Sequence, residues 1–293
     1  MTRAAFALLL LGAAGVLTGC ARSAPPSRFP DAQSLLSRLH EQQKCSRGLS
    51  GEGKIDYFGK EGRVRGSLLF MAQSPDHVRL DVVSPFGATV STLTSDGNQF
   101  ALYDLRQKVF LQGPASACNL AQFTHVPMPP HALVSLLRGE APLLVHQPPQ
   151  TSLSWEGGRY VVRITSTRSA TQLIAISPSD ADYDKPFSQQ QLSLESVEVR
   201  QQEYVLYRAE LADHQPAHTA PPRTDPDGID PDVPPSGPEC SASVPRRLHL
   251  QVPSEEQDLV LSVSEIAHNP PLQGGVFEQR PPGGVVVRSS PCQ

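Results

Sequence analysis

The chain has 293 residues, of which 39% are hydrophobic, enough to bury a sizeable core in one large domain. Its formal net charge is −4 and no basic patch with interleaved aromatics offsets it, which excludes nucleic acid as the partner. The 29 prolines are unevenly spread, as in linkers and unlike a collagen repeat.

Residues 1–19 read as a targeting segment, with Arg3 as the positive start and Ala4 to Val16 as an apolar core too short for an ordinary membrane span. Leu17-Thr18-Gly19-Cys20 resembles the lipobox of bacterial lipoproteins, which implies cleavage before Cys20 and acylation of that cysteine. Three acyl chains hold a protein to a bilayer where one would not. Ala21 after the cysteine, in place of Asp, favours the outer membrane under enteric-type sorting. Residues 20–30 carry three prolines and are expected to form a flexible tether.

Asp31 is placed to cap a helix through about Gln43, with Leu35, Leu36 and Leu39 on one stripe. From Gly51 to Gly113 one strand-length segment follows another. Ile55/Tyr57, Leu68/Phe70, Val78/Leu80/Val82, Phe100/Leu102 and Val109/Leu111 alternate with polar residues, so each segment has one apolar face. Turn-forming residues separate them at 59–62, Ser74-Pro75-Asp76, Ser84-Pro85-Phe86-Gly87 and Ser95-Asp96-Gly97-Asn98. The fold class expected is therefore mainly β, an antiparallel meander whose common apolar face must be covered by helices, curled over, or left open for an apolar ligand. A second lid is expected after the meander, with a short turn at 116–123 and a helix beginning at Pro129-Pro130, carrying Leu133, Val134, Leu136 and Leu137 and stopping at Gly139.

Strands resume at 153–155, 160–165, 172–176, 192–200 and 204–210, completing a domain over 31–212. Residues 213–245 are rich in Pro and Asp and poor in apolar surface, which predicts an exposed, partly disordered insertion. The closing strands at 247–252 and 258–265 and the tail to residue 293 belong to the same domain.

Signposts of catalysis are missing: there is no Gly-x-Ser-x-Gly, His-Glu-x-x-His, phosphate-cradling glycine loop or Cys-x-x-Cys. No enzyme activity and no cofactor is expected. His214 and His218 have helical metal spacing, but Pro216 between them forbids that helix. Asp225, Asp227, Asp230 and Asp232 gather oxygen ligands around Gly228 as a calcium loop does, yet the bidentate glutamate of an EF-hand is absent, and a flexible acidic linker is the expected reading. Besides Cys20, the even set Cys45, Cys118, Cys240 and Cys292 suggests two disulfides in an exported protein. Of three pairings, Cys45–Cys118 with Cys240–Cys292 is expected, each stapling an irregular segment beside the sheet. Phe86 is conspicuous because a large aromatic at the tip of a polar turn carries a hydration cost unless it packs or inserts somewhere.

Several motifs together resemble the LolA/LolB lipoprotein-localisation family. Gly66-Ser67-Leu68-Leu69-Phe70, followed by Arg79 through Val83 and Ser84-Pro85-Phe86-Gly87-Ala88-Thr89, is similar to the receptor's strand, Pro-Leu-Gly turn and strand. Ser95-Asp96-Gly97-Asn98 with Leu102-Tyr103 resembles the carrier's Ser-Asp-Gly turn. Phe277, Pro281-Pro282 and Gly284-Val285 resemble its closing motif. The resemblance implies a curled half-barrel sheet with a helical lid over an acyl-binding cavity, lined here by Leu68, Phe70, Leu80, Val82, Phe100 and Leu102. It gives Phe86 the place of the receptor's exposed turn leucine, a membrane-transfer loop. It also implies lipid or lipoprotein acyl chains as ligand, a periplasmic carrier as partner and an outer-membrane location. The carrier's lid-latching Arg-Pro has no counterpart, since Gln73-Ser74-Pro75 stands at that place. Lipidation and the missing latch favour a receptor-like member. The reading from a different class is a structural or assembly lipoprotein whose interior is filled by its own side chains.

Overall fold

The computed structural model describes residues 22–60, 62–290 and 292. The signal segment and Cys20 lie outside the described residues. The six-strand meander forms as its alternation requires: β1 (Gly48–Gly59), β2 (Gly62–Gln73), β3 (His77–Val83), β4 (Thr89–Asp96), β5 (Gln99–Asp104) and β6 (Val109–Pro114). Ahead of it stands α1 (Ala32–Gln43), and behind it α2 (Ala117–Thr124) and α3 (Pro130–Leu137). Asp31 caps α1 by accepting from Ser34 N at 2.7 Å, and Pro130 opens α3, which Gly139 ends at φ +74°.

The second half comprises β7 (Thr151–Glu156), β8 (Arg159–Thr165), β9 (Ala170–Pro178), β10 (Leu192–Gln201) and β11 (Tyr204–Ala212). Three two-residue strands follow, β12 (Gln215–Pro216), β13 (His218–Thr219) and β14 (Ser243–Val244), then β15 (Arg247–Val252), β16 (Gln257–His268) and β17 (Val286–Ser289). Fifteen strands of the described residues join one sheet in the order β17-β6-β5-β4-β3-β2-β1-β16-β15-β11-β10-β9-β8-β7, with β13 pairing β16 off that path. Its ladders are antiparallel except for β17 on β6 and β13 on β16. The sheet curls without closing, because β17 and β7 remain as its two edges.

One continuous core fills the concave side. Gly51 lets the β1 backbone meet the Phe70 ring closely: a Cβ there would sit 2.5 Å from the ring. All three helices pack on the same side, α1 against β7 and β10, α3 against β2 and β3, and α2 against β5. On the opposite face the tail crosses β3–β5, with Phe277 edge-on to His77 and Gln279 Nε2 donating to Thr92 O at 3.2 Å and to Thr94 Oγ1 at 3.1 Å.

Three expectations are corrected. The disulfides are Cys45–Cys240 and Cys118–Cys292. Cys45 precedes β1 and Cys240 precedes β15, which brackets β16 from the other side; Cys118 lies in α2 just after β6, beside the tail that β17 brings to β6. Pairing follows sheet neighbours and not the order of irregular segments.

The 213–245 insertion is fastened, not loose. β12 pairs β14, β13 extends the sheet, and Ala217, Cys240 and Val244 are buried. Beside it, buried Asn269 accepts from Arg47 N and Gly48 N at 2.8 and 3.0 Å and donates to Cys45 O and Pro238 O at 2.9 and 2.6 Å.

Residues 22–30, expected as a free tether, lie against the domain. Phe29 is buried edge-on to Tyr160, with ring centroids 5.4 Å apart, and beside Phe187.

Candidate functional site

The meander strands, β15, β16 and the lids enclose an apolar cavity of about 160 Å³. Ile55 and Tyr57 of β1, Leu68 and Phe70 of β2, and Leu80 and Val82 of β3 make one wall. Leu248 and Leu250 of β15 and Leu259 and Leu261 of β16 make the other, and Phe123, Leu133 and Leu137 close it from above. Leu133 and Leu137 are one helical turn apart on α3, so a single face of that helix supplies both. Thr124 and His125 are the polar members of the lining. The Thr124 hydroxyl meets Leu120 O at 3.1 Å, leaving the wall without a free polar group at that point. His125, in the left-handed conformation after α2, stacks on Tyr57 with ring centroids 4.1 Å apart.

The cavity opens where Val64 lines it, because Val64 is 55% exposed. The β2–β3 ladder ends at Ser67↔Val83, in the middle of β2, so the 62–66 stretch that contains Val64 runs on past β3 alongside the β3–β4 turn. Gly87 at φ +83° and a bond from Gly87 N to Ser84 O at 2.9 Å close that turn. Phe86 at its tip is 96% exposed.

Of the residues singled out from sequence, Leu68, Phe70, Leu80 and Val82 come together on the cavity wall. Phe100 and Leu102 are buried on β5, two strands beyond β3, and do not reach the cavity. The acidic loop is built from its own backbone: Asp225 accepts from Asp227 N, Ile229 N and Asp230 N at 3.2, 2.6 and 2.7 Å, and these bonds hold its carboxyl below the usual range. Among the described residues no set of three or more His, Cys, Asp and Glu side chains is grouped to hold a metal ion.

The sequence reading missed the tie between the lids. Arg138, buried just past α3, donates to Gln43 O at the end of α1 and to Glu140 Oε2, each at 3.0 Å, and Glu140 meets His40 of α1 at 3.2 Å. An arginine and an acid two residues apart after a helix gave only a weak signal, because its meaning depends on a carbonyl 95 positions away.

No family model matches the chain, and no curated protein does. Among solved structures it is similar to a DUF1329 family protein from Desulfovibrio piger, at 10% identity over 83% of this chain and 94% of that one, with a TM-score of 0.52. A putative outer membrane lipoprotein-sorting protein domain from Vibrio parahaemolyticus matches at 11% identity over 83% and 95%, with a TM-score of 0.48. A LolA superfamily protein from Nitrosomonas europaea matches at 10% over 86% and 99%, with a TM-score of 0.49. At such identity the likeness concerns the fold alone. The chain is a mainly β protein with a large, open, helix-capped antiparallel sheet, a fold similar to that of the DUF1329 family protein.

Proposed function

We propose that this protein is a lipid-anchored envelope protein that takes an acyl chain of a lipoprotein or lipid into the concave cavity and passes it to a membrane, without making or breaking a bond. The anchor is Cys20, the cavity wall is the Leu68, Phe70, Leu80 and Val82 set, the exit is the Phe86 turn, and a periplasmic carrier is the donor. The observation that carries the reading is an almost wholly apolar cavity that opens beside a fully exposed aromatic. Each buried methylene is worth about 0.8 kcal/mol, so a chain moves to whichever site hides it better. A cavity of about 150 Å³ holds a benzene ring, so the resting volume admits about six carbons.

The test uses the mature chain with Cys20→Ala, so that its own anchor contributes no signal. Extracts analysed by mass spectrometry are expected to contain lipid, and a fluorescent fatty acid is expected to bind saturably. Val82→Trp fills the mouth and should abolish uptake while the fold persists. A protein that carries no lipid and takes up none overturns the reading and leaves the filled scaffold in its place.

A further inference from the structure

The segment that follows Cys20 is fastened to one patch of the domain. Trp155 Nε1 donates to Arg22 O at 3.0 Å, the Arg22 guanidinium lies 3.8 Å from the centre of the Tyr183 ring, and Arg22 also pairs with Asp180. Further along, Phe187 N donates to Ser27 Oγ at 3.0 Å and Gln190 Nε2 to Ser27 O at 3.1 Å. Phe29 is then buried. Three successive fastenings, at Arg22, Ser27 and Phe29, leave no slack between the docked segment and Cys20. Arg22 stands two positions after Cys20, and two residues of chain span at most about 7 Å. The free ten-residue tether expected from composition would have reached about 35 Å.

A lipid anchor on Cys20 therefore brings the bilayer surface to this patch and to no other. The patch has side chains suited to that place. Trp155 and Tyr183 are half-buried, with ring centroids 6.4 Å apart, and the Gly157-Gly158 turn beside them puts no bulk in the way. The Trp155 N–H is taken by Arg22 O and the Tyr183 hydroxyl is buried, so the half-exposed ring surfaces and the Arg22 guanidinium are what the patch offers the headgroup level, where Trp and Tyr rings settle. Arg22 pairs with Asp180 and Lys185 with Asp182, so net charge is not what seats the surface.

We infer that the Arg22, Trp155 and Tyr183 patch is a membrane-contact face, held against phospholipid headgroups by the docked segment, and that it sets one orientation of the domain on the membrane bearing its anchor. The inference rests on the anchored reading above. It adds that the domain is seated on the membrane and does not swing on a leash.

Trp155 is the chain's one tryptophan, so its fluorescence reports this patch alone. The lipidated full-length mature protein is placed in phosphatidylethanolamine/phosphatidylglycerol vesicles carrying a spin label at the headgroup or at mid-chain. The mass of its N-terminal peptide is read first. Headgroup-labelled lipid is expected to quench Trp155 severalfold more than mid-chain label. A ten-residue Gly/Ser insertion after Ala21 is expected to reduce that quenching to the level of vesicles added to unanchored protein. An acylated protein whose Trp155 is unquenched, or whose quenching survives the insertion unchanged, overturns the seated orientation alone. A protein with no acyl group on Cys20 overturns the anchored reading together with it.

Discussion

The concave face has two halves, lined by the same kinds of side chain, and only one of them is hollow. Under α1 the interior is solid: Val162, Ile164, Ile174, Ile176, Leu194 and Val197 are wholly buried together with Leu35 of the helix. Under α3 the walls leave about 160 Å³, and Ile55 and Val82 are only partly covered. Helix length accounts for much of this. The twelve residues of α1 make a rod of about 18 Å, while the eight of α3 reach about 12 Å. A short lid over strands of up to twelve residues leaves their ends to solvent. The filled half holds the fold, and the hollow half is the part to which the proposed function assigns the guest.

The strongest way to break this division is to cut the link between the lids. Arg138→Ala removes the donor to Gln43 O and leaves Glu140 buried without its cation. The expected loss is about 3–5 kcal/mol of unfolding free energy, read from urea denaturation, and a loss under about 1 kcal/mol would mean that Glu140 finds water. Next, the halves should respond unequally to the same kind of truncation. Leu35→Ala in the solid half is expected to cost about 2–5 kcal/mol, since the hole cannot collapse. Val82→Ala at the rim of the hollow half should cost about 1 kcal/mol, because its surroundings are already open. Equal costs would show that the hollow half is packed as tightly as the other.

Acid should act on the seam behind both halves. His268 is fully buried; its Nε2–H donates to Ala242 O at 2.9 Å, and its Nδ1 accepts from the Ser46 hydroxyl at 2.8 Å. Burial, with Arg138 nearby, holds the imidazole below its ordinary value. Half-buried His214 is depressed in the same direction, again by its burial. Unfolded, such a ring titrates near about 6.5, so the unfolded chain binds more protons in and below that range. Stability is then complete above that pH and declines as the pH falls through it toward the depressed folded value. The urea midpoint should drop between roughly pH 7.5 and 5. A flat profile would mean that the folded rings take up protons as readily as the unfolded ones.

What the sequence made legible follows the same division between local and distant causes. Alternation and turn residues placed β1 to β6, and an Asp31 cap and a Pro-Pro start placed α1 and α3, because each of those signals acts within a few residues. Four of the six proposed lining residues share one cavity, since they lie on adjacent strands whose pleat the sequence displays. Phe100 and Leu102 have the same pattern but sit past the cavity's edge, and periodicity along a strand does not say how far across a sheet a hollow extends. The disulfide partners, the Asn269 bonds to residues 45–48 and the docking of residues 22–30 join positions more than a hundred apart. Proline-rich composition at 20–30 read as freedom, yet Phe29 in its midst needed only a neighbour in space to become an anchor.

The smallest effect on stability should accompany the largest on transfer. Phe86 touches little, being 96% exposed, so Phe86→Glu should leave the unfolding free energy within about 0.5 kcal/mol of the parent. A charge at that tip cannot enter hydrocarbon without losing its hydration, whereas the phenyl ring can. Delivery of a bound acyl chain to vesicles should therefore stop in the variant, while uptake of the same chain into the cavity continues. Delivery at the parental rate would remove Phe86 from the exit and leave the cavity itself as the part still to be explained.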